Sequence, residues 1–188
     1  MAVTLTWVAD GAPRMEVAHV QHHGAHITAV GTQLGSAYEL RYRLEPRVLS
    51  LEVVGLRSLE VELGDADFFD LGFSPLFNSL PVIRDALHSV DTARRYVMRW
   101  VDVPSLVVTP SEQRYEPLGN DVIRFRAADF TADIRFDEDG FVVDYPGARE
   151  TRVDPAAHTA YLLHARVADG GLLLGAGTCF VANWVASR

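Results

Sequence analysis

An all-β fold is predicted for this chain by two observations. Apolar side chains recur at every second position in one stretch after another, and Gly, Asn and Asp clusters punctuate those stretches. Successive side chains of a strand point to opposite faces, so each stretch presents one apolar and one wet face. Sheets with one solvated face are usually antiparallel. Taken with the turn signals, this describes an all-β roll, barrel or sandwich of eight or more short strands.

The stretches follow in order. Tyr38, Leu40, Tyr42 and Leu44 share a face opposite Glu39, Arg41, Arg43 and Glu45. Leu59, Val61 and Leu63 oppose Ser58, Glu60 and Glu62, with Gly55 before them and Gly64-Asp65 after. Tyr96, Met98 and Trp100 oppose Arg95 and Arg99, and Ile123 and Phe125 oppose Arg124 and Arg126. Phe130, Ala132, Ile134 and Phe136 oppose Thr131, Asp133, Arg135 and Asp137. Leu118-Gly119-Asn120-Asp121 and Asp137-Glu138-Asp139-Gly140 are turn sequences, where Asn, Asp and Gly tolerate positive φ. In the tail, Tyr161 to Val167 and Leu172 to Val185 flank Ala-Asp-Gly-Gly and read as a hairpin, with a short helix from Pro155 as the competing assignment.

The stretch Asp67 to Arg84, DFFDLGFSPLFNSLPVIR, breaks the pattern. Its two prolines disfavour helical backbone at Ser74 and Leu80, which are expected to be extended. It is expected to be neither a regular strand nor a regular helix, but a cavity wall or mouth anchored by Phe68, Phe69, Phe73 and Phe77. The one helix expected is short, near Pro81 to Ser89, with Pro81 in its first turn.

Bulk composition narrows the function classes. A chain of 188 residues with 48% hydrophobic and 22% charged residues is that of an ordinary globular domain. At that size roughly 70% of the unfolded surface is buried without disulfide or metal support. A formal charge of -8 argues against nucleic acid and anionic membranes as partners. All 17 basic residues are arginine, a coding bias before it is a recognition device. The single Cys179 forms no internal disulfide, and no membrane span or secretory leader is legible, so a cytoplasmic location is expected.

Four blocks carry a resemblance. They are DFFDLGFSPLFNSLPVIR; WVDVPSLVVTPSEQRYEPL, with Asp102, Pro104, Gln113 and Tyr115; FTADIRFDEDGFVVDYPG, with Asp137, Gly140, Asp144, Tyr145, Pro146 and Gly147; and Trp7, Glu16, Ala18, Gly31 and the strand around Tyr42. Together, in chain order over roughly residues 5 to 152, these blocks resemble the putative glycolipid-binding family of bacterial proteins. That resemblance implies a single strongly curved antiparallel sheet, a spiral β-roll or half-barrel with at most one or two short helices and an apolar concave side. The family's usual pair of arginines after Leu-Pro is Ile83-Arg84 here, so only Arg84 carries over, and Ala148 stands where an aromatic is common. Residues 1–152 are expected to form the β-roll domain. Residues 153–188 form an extension that packs either on that domain or on a partner subunit, giving a homodimer.

The candidate ligand-binding residues are Asp70, Asn78, Arg84, Gln113 and Tyr115 as polar contacts, with Trp7, Tyr42, Phe77, Met98 and Trp100 as apolar wall. An Arg and an Asn beside aromatic faces suit a sugar or phosphate head group on a small amphiphile. The competing account pairs Arg84 with Asp70 or Asp85 and makes the aromatics core. His19, His22, His23 and His26 are dense enough to raise a metal, but without cysteine an exposed His-rich turn is the better account. Asp70 and Asp144 sit within apolar stretches and are the candidates for a hydrolase acting on a glycoconjugate. No nucleophile elbow, phosphate loop or zinc-protease motif is present. The expectation is a lipid- or glycolipid-binding protein without catalytic residues, cofactor or metal, with a hydrolase and a structural or interaction module as alternatives.

Overall fold

The computed structural model describes residues 1–9, 14–24, 26–35, 38–45, 50–55 and 57–145, together with the backbone of 165–168 and 171–174. The architecture is mostly strand, with one α-helix, curled into a half-barrel. Strands β1 (Ala2–Val8), β2 (Met15–His23), β3 (His26–Leu34), β4 (Glu39–Glu45), β5 (Ser50–Val54) and β6 (Ser58–Glu62) form an antiparallel meander. The tail adds β13 (Ala165–Ala168) and β14 (Gly171–Leu174), an antiparallel hairpin hydrogen-bonded onto the outer edge of β1. The expected hairpin is present over these eight residues; the outer parts of its expected strands and a helix from Pro155 fall outside the described residues.

The second section runs β7 (Phe68–Leu71), β8 (Arg94–Val101), β9 (Val108–Gly119), β10 (Val122–Ala127), β11 (Phe130–Phe136) and β12 (Val142–Asp144). Alternation holds as expected: Leu40, Tyr42 and Leu44 are buried while Glu39, Arg41 and Arg43 are exposed. The same phase buries Ile123, Phe125, Ala132, Ile134 and Phe136. All these side chains join one core shared by both sections. The indole of Trp7 on β1 donates to the carbonyl of Val142 on β12 at 2.9 Å, tying the sections together. At the β9–β10 turn, Asn120 and Asp121 both adopt positive φ, as their residue types allow.

The proline-broken stretch differs from expectation. It contains a regular strand, β7, and a regular helix, α1 (Pro75–Asp85), followed by a 3₁₀ turn at Leu87–Ser89. Ser74 is extended, as its proline demands, but Leu80 is helical and Pro81 lies inside the helix. An interior proline costs about 3 kcal/mol. Burying Leu76, Phe77, Leu80 and Val82 returns roughly 1.5–3 kcal/mol each, so packing overrides the local preference. Pro75 at the start of the helix is well placed, because its missing N–H needs no partner there.

All four residues of β7 are buried, since α1 leads from β7 into β8 and the two strands pair in parallel. A parallel pair needs such a crossover and becomes covered on both faces. Phe73 is not an anchor: it is 63% exposed with φ 64, in the left-handed region that costs a non-glycine residue about 1–2 kcal/mol.

Candidate functional site

Three rows of side chains on the concave face define the site. Strand register places Leu5, Ala18, Gly31 and Tyr42 side by side, and above them Trp7, Glu16, Gln33 and Leu40. At the rim, Ala9 bonds Arg14 and Gly35 bonds Tyr38 through the backbone, which puts Arg14 and Tyr38 in the next row. Gly31 is required by close approach: a Cβ there would stand 2.3 Å from Tyr42 Cζ. The tyrosine ring leans across that gap and donates its hydroxyl proton to Glu16 Oε1.

Glu16 is 2% exposed and faces the N-terminus of α1. Ser74 Oγ donates to the same carboxylate oxygen at 2.7 Å, and the backbone of Leu76 also bonds the carboxyl group. Ser74 makes no side-chain cap of its own helix, so a strand carboxylate serves the orphan donors and the positive end of the helix dipole. Burial nevertheless dominates and pushes the Glu16 carboxyl up to about 7, against the opposing bonds from Tyr42, Ser74 and Leu76.

A second polar group lies within the six-stranded section. Asn78 Nδ2 donates to Tyr115 Oη at 3.1 Å, and Tyr115 Oη donates to Gln113 Oε1 at 3.1 Å. Gln113 Nε2 then donates to Asp70 Oδ2. Four of the predicted residues are thus brought into one chain, with each member donating or accepting within it. No cation pairs with Asp70 in this chain; burial raises its carboxyl to about 6, with the Gln113 bond opposing. Phe77 packs edge-on against Tyr42 at 5.5 Å, and Trp7, Tyr42, Phe77, Met98 and Tyr115 are each at most 2% exposed. A water-sized void beside them would leave accessible surface, so these five pack against protein atoms. Trp100 is half-buried beside Asp70 in the strand register.

Arg84 is not among them. It lies at the surface, paired with Asp85 at 2.8 Å, with its guanidinium 3.7 Å from the centre of the Phe68 ring. It also donates to the carbonyl of Asp67 at 3.2 Å. Its bond holds Asp85 below the usual carboxylate range. Of the two arrangements open at the sequence level, this is the pairing with Asp85.

Asp137 accepts the backbone N–H groups of Asp139 and Phe141, as a turn acid does. Asp144 stands opposite Arg135 in the β11–β12 register. The β2 strand runs on to His23, so His19 sits mid-strand, bonded to Thr4 Oγ1 at 2.8 Å. Among the described residues no three His, Cys, Asp or Glu side chains converge as metal ligands, and no helix is long and apolar enough to cross a membrane. Cys179, Pro146 and Gly147 lie outside the described residues. Sequence reasoning left Gln33 and Arg14 out of the site. The available signal was phase, because Glu16 and Gln33 occupy positions of β2 and β3 where Ala18, Val20, Ile27 and Ala29 point inward.

A family model described as putative glycolipid-binding matches residues 53–151, just over half of the chain. The chain belongs to that family. It is also similar to the crystal structure of a DUF1089 family protein from Pseudomonas aeruginosa, at 19% identity and a TM-score of 0.49, covering 74% of this chain and 78% of that one. Comparison with curated proteins gave no match.

Proposed function

We propose that this family member is a non-catalytic binding protein for a small amphiphile, a glycolipid or acyl-sugar, held on the concave side of the half-barrel. One observation carries the reading: the closing element of that side is α1 rather than another strand. The helix buries eight consecutive residues from Pro75 to Val82. It is flanked by Phe73 and Ala86, both non-glycine residues at positive φ, and is interrupted by Pro81. Backbone strain of this kind clusters at ligand clamps and switch regions. An acyl chain enters in this reading by displacing α1, whose buried Leu76, Phe77, Leu80 and Val82 it replaces against the concave face.

In this reading Trp7, Tyr42, Phe77 and Met98 contact the chain, with Trp100 at the edge. The Asp70–Gln113–Tyr115–Asn78 chain, together with Arg84, supplies the polar boundary. The family description supports a lipid-like ligand. The test is calorimetric titration of the full chain with single-chain octyl amphiphiles below their micelle concentrations. Saturable one-to-one binding that weakens when Phe77 is replaced by Ala supports the reading. Absence of binding to every octyl compound rejects it.

A further inference from the structure

Among the described residues, unpartnered buried polar atoms gather along the rim side of the concave face. The Asp70 chain is internally bonded, whereas the two rows nearest the rim keep unpartnered atoms beside the bonded Trp7 Nε1 and Glu16 Oε1. Glu16 Oε2, both amide atoms of Gln33, Tyr38 Oη and Arg14 Nη1 are all buried without a hydrogen-bond partner. Gln33 is 1% exposed and Glu16 2%, and they face each other directly across the β2–β3 pair. Each unpartnered buried group costs about 1–3 kcal/mol, so a cluster of them in adjoining positions calls for a bonding partner from outside the chain.

Arg14, Tyr38 and Phe73 stack at the rim beside the cluster: the Arg14 guanidinium lies 3.7 Å from the centre of the Phe73 ring and 5.8 Å from that of Tyr38. Phe73 is the exposed, left-handed residue immediately before Ser74, which bonds Glu16.

We propose that Glu16, Gln33, Arg14 and Tyr38 form a head-group subsite for an uncharged sugar, entered beneath Phe73. The choice of ligand follows from the donor and acceptor set. Glu16 Oε2 accepts when ionised and donates when protonated, Gln33 Oε1 accepts, Arg14 Nη1 and Gln33 Nε2 donate, and Tyr38 Oη does both. A phosphate or sulfate offers only acceptors and would face the Glu16 carboxyl. An ammonium offers only donors and would face Arg14. Hydroxyl groups donate and accept, and the rings of Tyr38 and Phe73 offer apolar faces for the C–H side of a pyranose. This subsite rests on the amphiphile reading above and moves its polar end from the Asp70 chain to the rim.

The test titrates the full chain by calorimetry with n-octyl β-glucoside, n-octyl phosphate, n-octanol and methyl β-glucoside. The glucoside is expected to bind best, and methyl glucoside weakly, since it lacks the chain. Gln33→Leu is expected to lower octyl glucoside affinity about tenfold or more, the loss of roughly one net hydrogen bond, while leaving octanol unchanged. The same variant is expected to melt higher, because it removes two unpartnered polar atoms. Arg14→Met, at the rim, is expected to reduce glucoside binding without touching the core. If octyl glucoside and octanol bind alike, or both variants keep the wild-type glucoside affinity, the subsite is wrong and the amphiphile reading stands. Preference for octyl phosphate overturns the uncharged-sugar assignment. If none of the octyl compounds binds, both readings fall.

Discussion

Replacing Glu16 by Gln should remove most of the pH dependence of stability near neutrality. The carboxyl titrates at 4.5 in its ordinary state and at about 7 in the fold, mainly through burial. A raised acid pKa means that the native state holds the proton more tightly, so the stabilisation is complete below pH 4.5 and is lost as pH rises through about 7. At about 1.4 kcal/mol per pH unit, about 2–3 kcal/mol disappears between pH 5 and pH 8. Asp70, raised from 3.8 to about 6, adds about 1 kcal/mol in the same window by the same sign. Asp85 and Asp133 are lowered below their ordinary 3.8 and lose their contribution only in more acid solution. Urea unfolding should therefore show wild-type protein about 3–4 kcal/mol more stable at pH 5 than at pH 8, and Glu16→Gln only about 1 kcal/mol more stable. Gln keeps an acceptor for Tyr42 and Ser74, so the variant should fold. An unchanged pH dependence in Glu16→Gln would refute the burial of this carboxyl.

Further outcomes follow from the same geometry. Asp70→Asn should leave the larger part of the pH dependence, about 2–3 kcal/mol between pH 5 and pH 8, in the same unfolding series; abolition of the whole effect would assign it to the wrong acid. Gly31→Ala should cost about 3 kcal/mol or more, because the new methyl group collides with the Tyr42 ring and expels its hydroxyl from Glu16. A near-neutral midpoint for that variant would contradict the close approach. Arg84→Met should change stability by less than about 1 kcal/mol, since its ion pair is exposed and the methionine keeps contact with Phe68; a large loss would give Arg84 a structural weight that its position does not support. Ending the chain at Arg152 removes β13 from the edge of β1. An uncovered edge strand templates pairing, so light scattering should show larger species than the full chain forms, and unchanged mass would contradict it.

The strand phases were legible because period-two alternation is a local property, and Leu40 to Leu44 and Phe130 to Phe136 carry it without interruption. The helix was not, because its stability comes from elsewhere: Pro81 argues against α1 locally, and only burial of Leu76, Phe77 and Leu80 outweighs that cost. The parallel β7–β8 pair was obscured for a related reason. DFFDL has no alternation once both faces are covered, so the stretch shows no strand period. At the site, the buried polar chain gathers Asp70 and Asn78, which lie in an apolar stretch of the sequence, with Gln113 and Tyr115, which stand among Glu112, Arg114 and Glu116 and were reached through the family resemblance. Arg84 stands apart from that chain because it pairs with its sequence neighbour Asp85. Gln33 passed unseen because one glutamine in an otherwise apolar phase is a weak signal until its unpartnered amide is visible.

The central claim is that the concave side takes up an amphiphile with an uncharged sugar head. Native mass spectrometry of the full chain purified from its own source tests it most directly. The expected result is a retained adduct that, on release and fragmentation, yields an acyl chain and a neutral hexose. Recovery of the bare chain alone, with no uptake of added octyl glucoside in the same instrument, would contradict it.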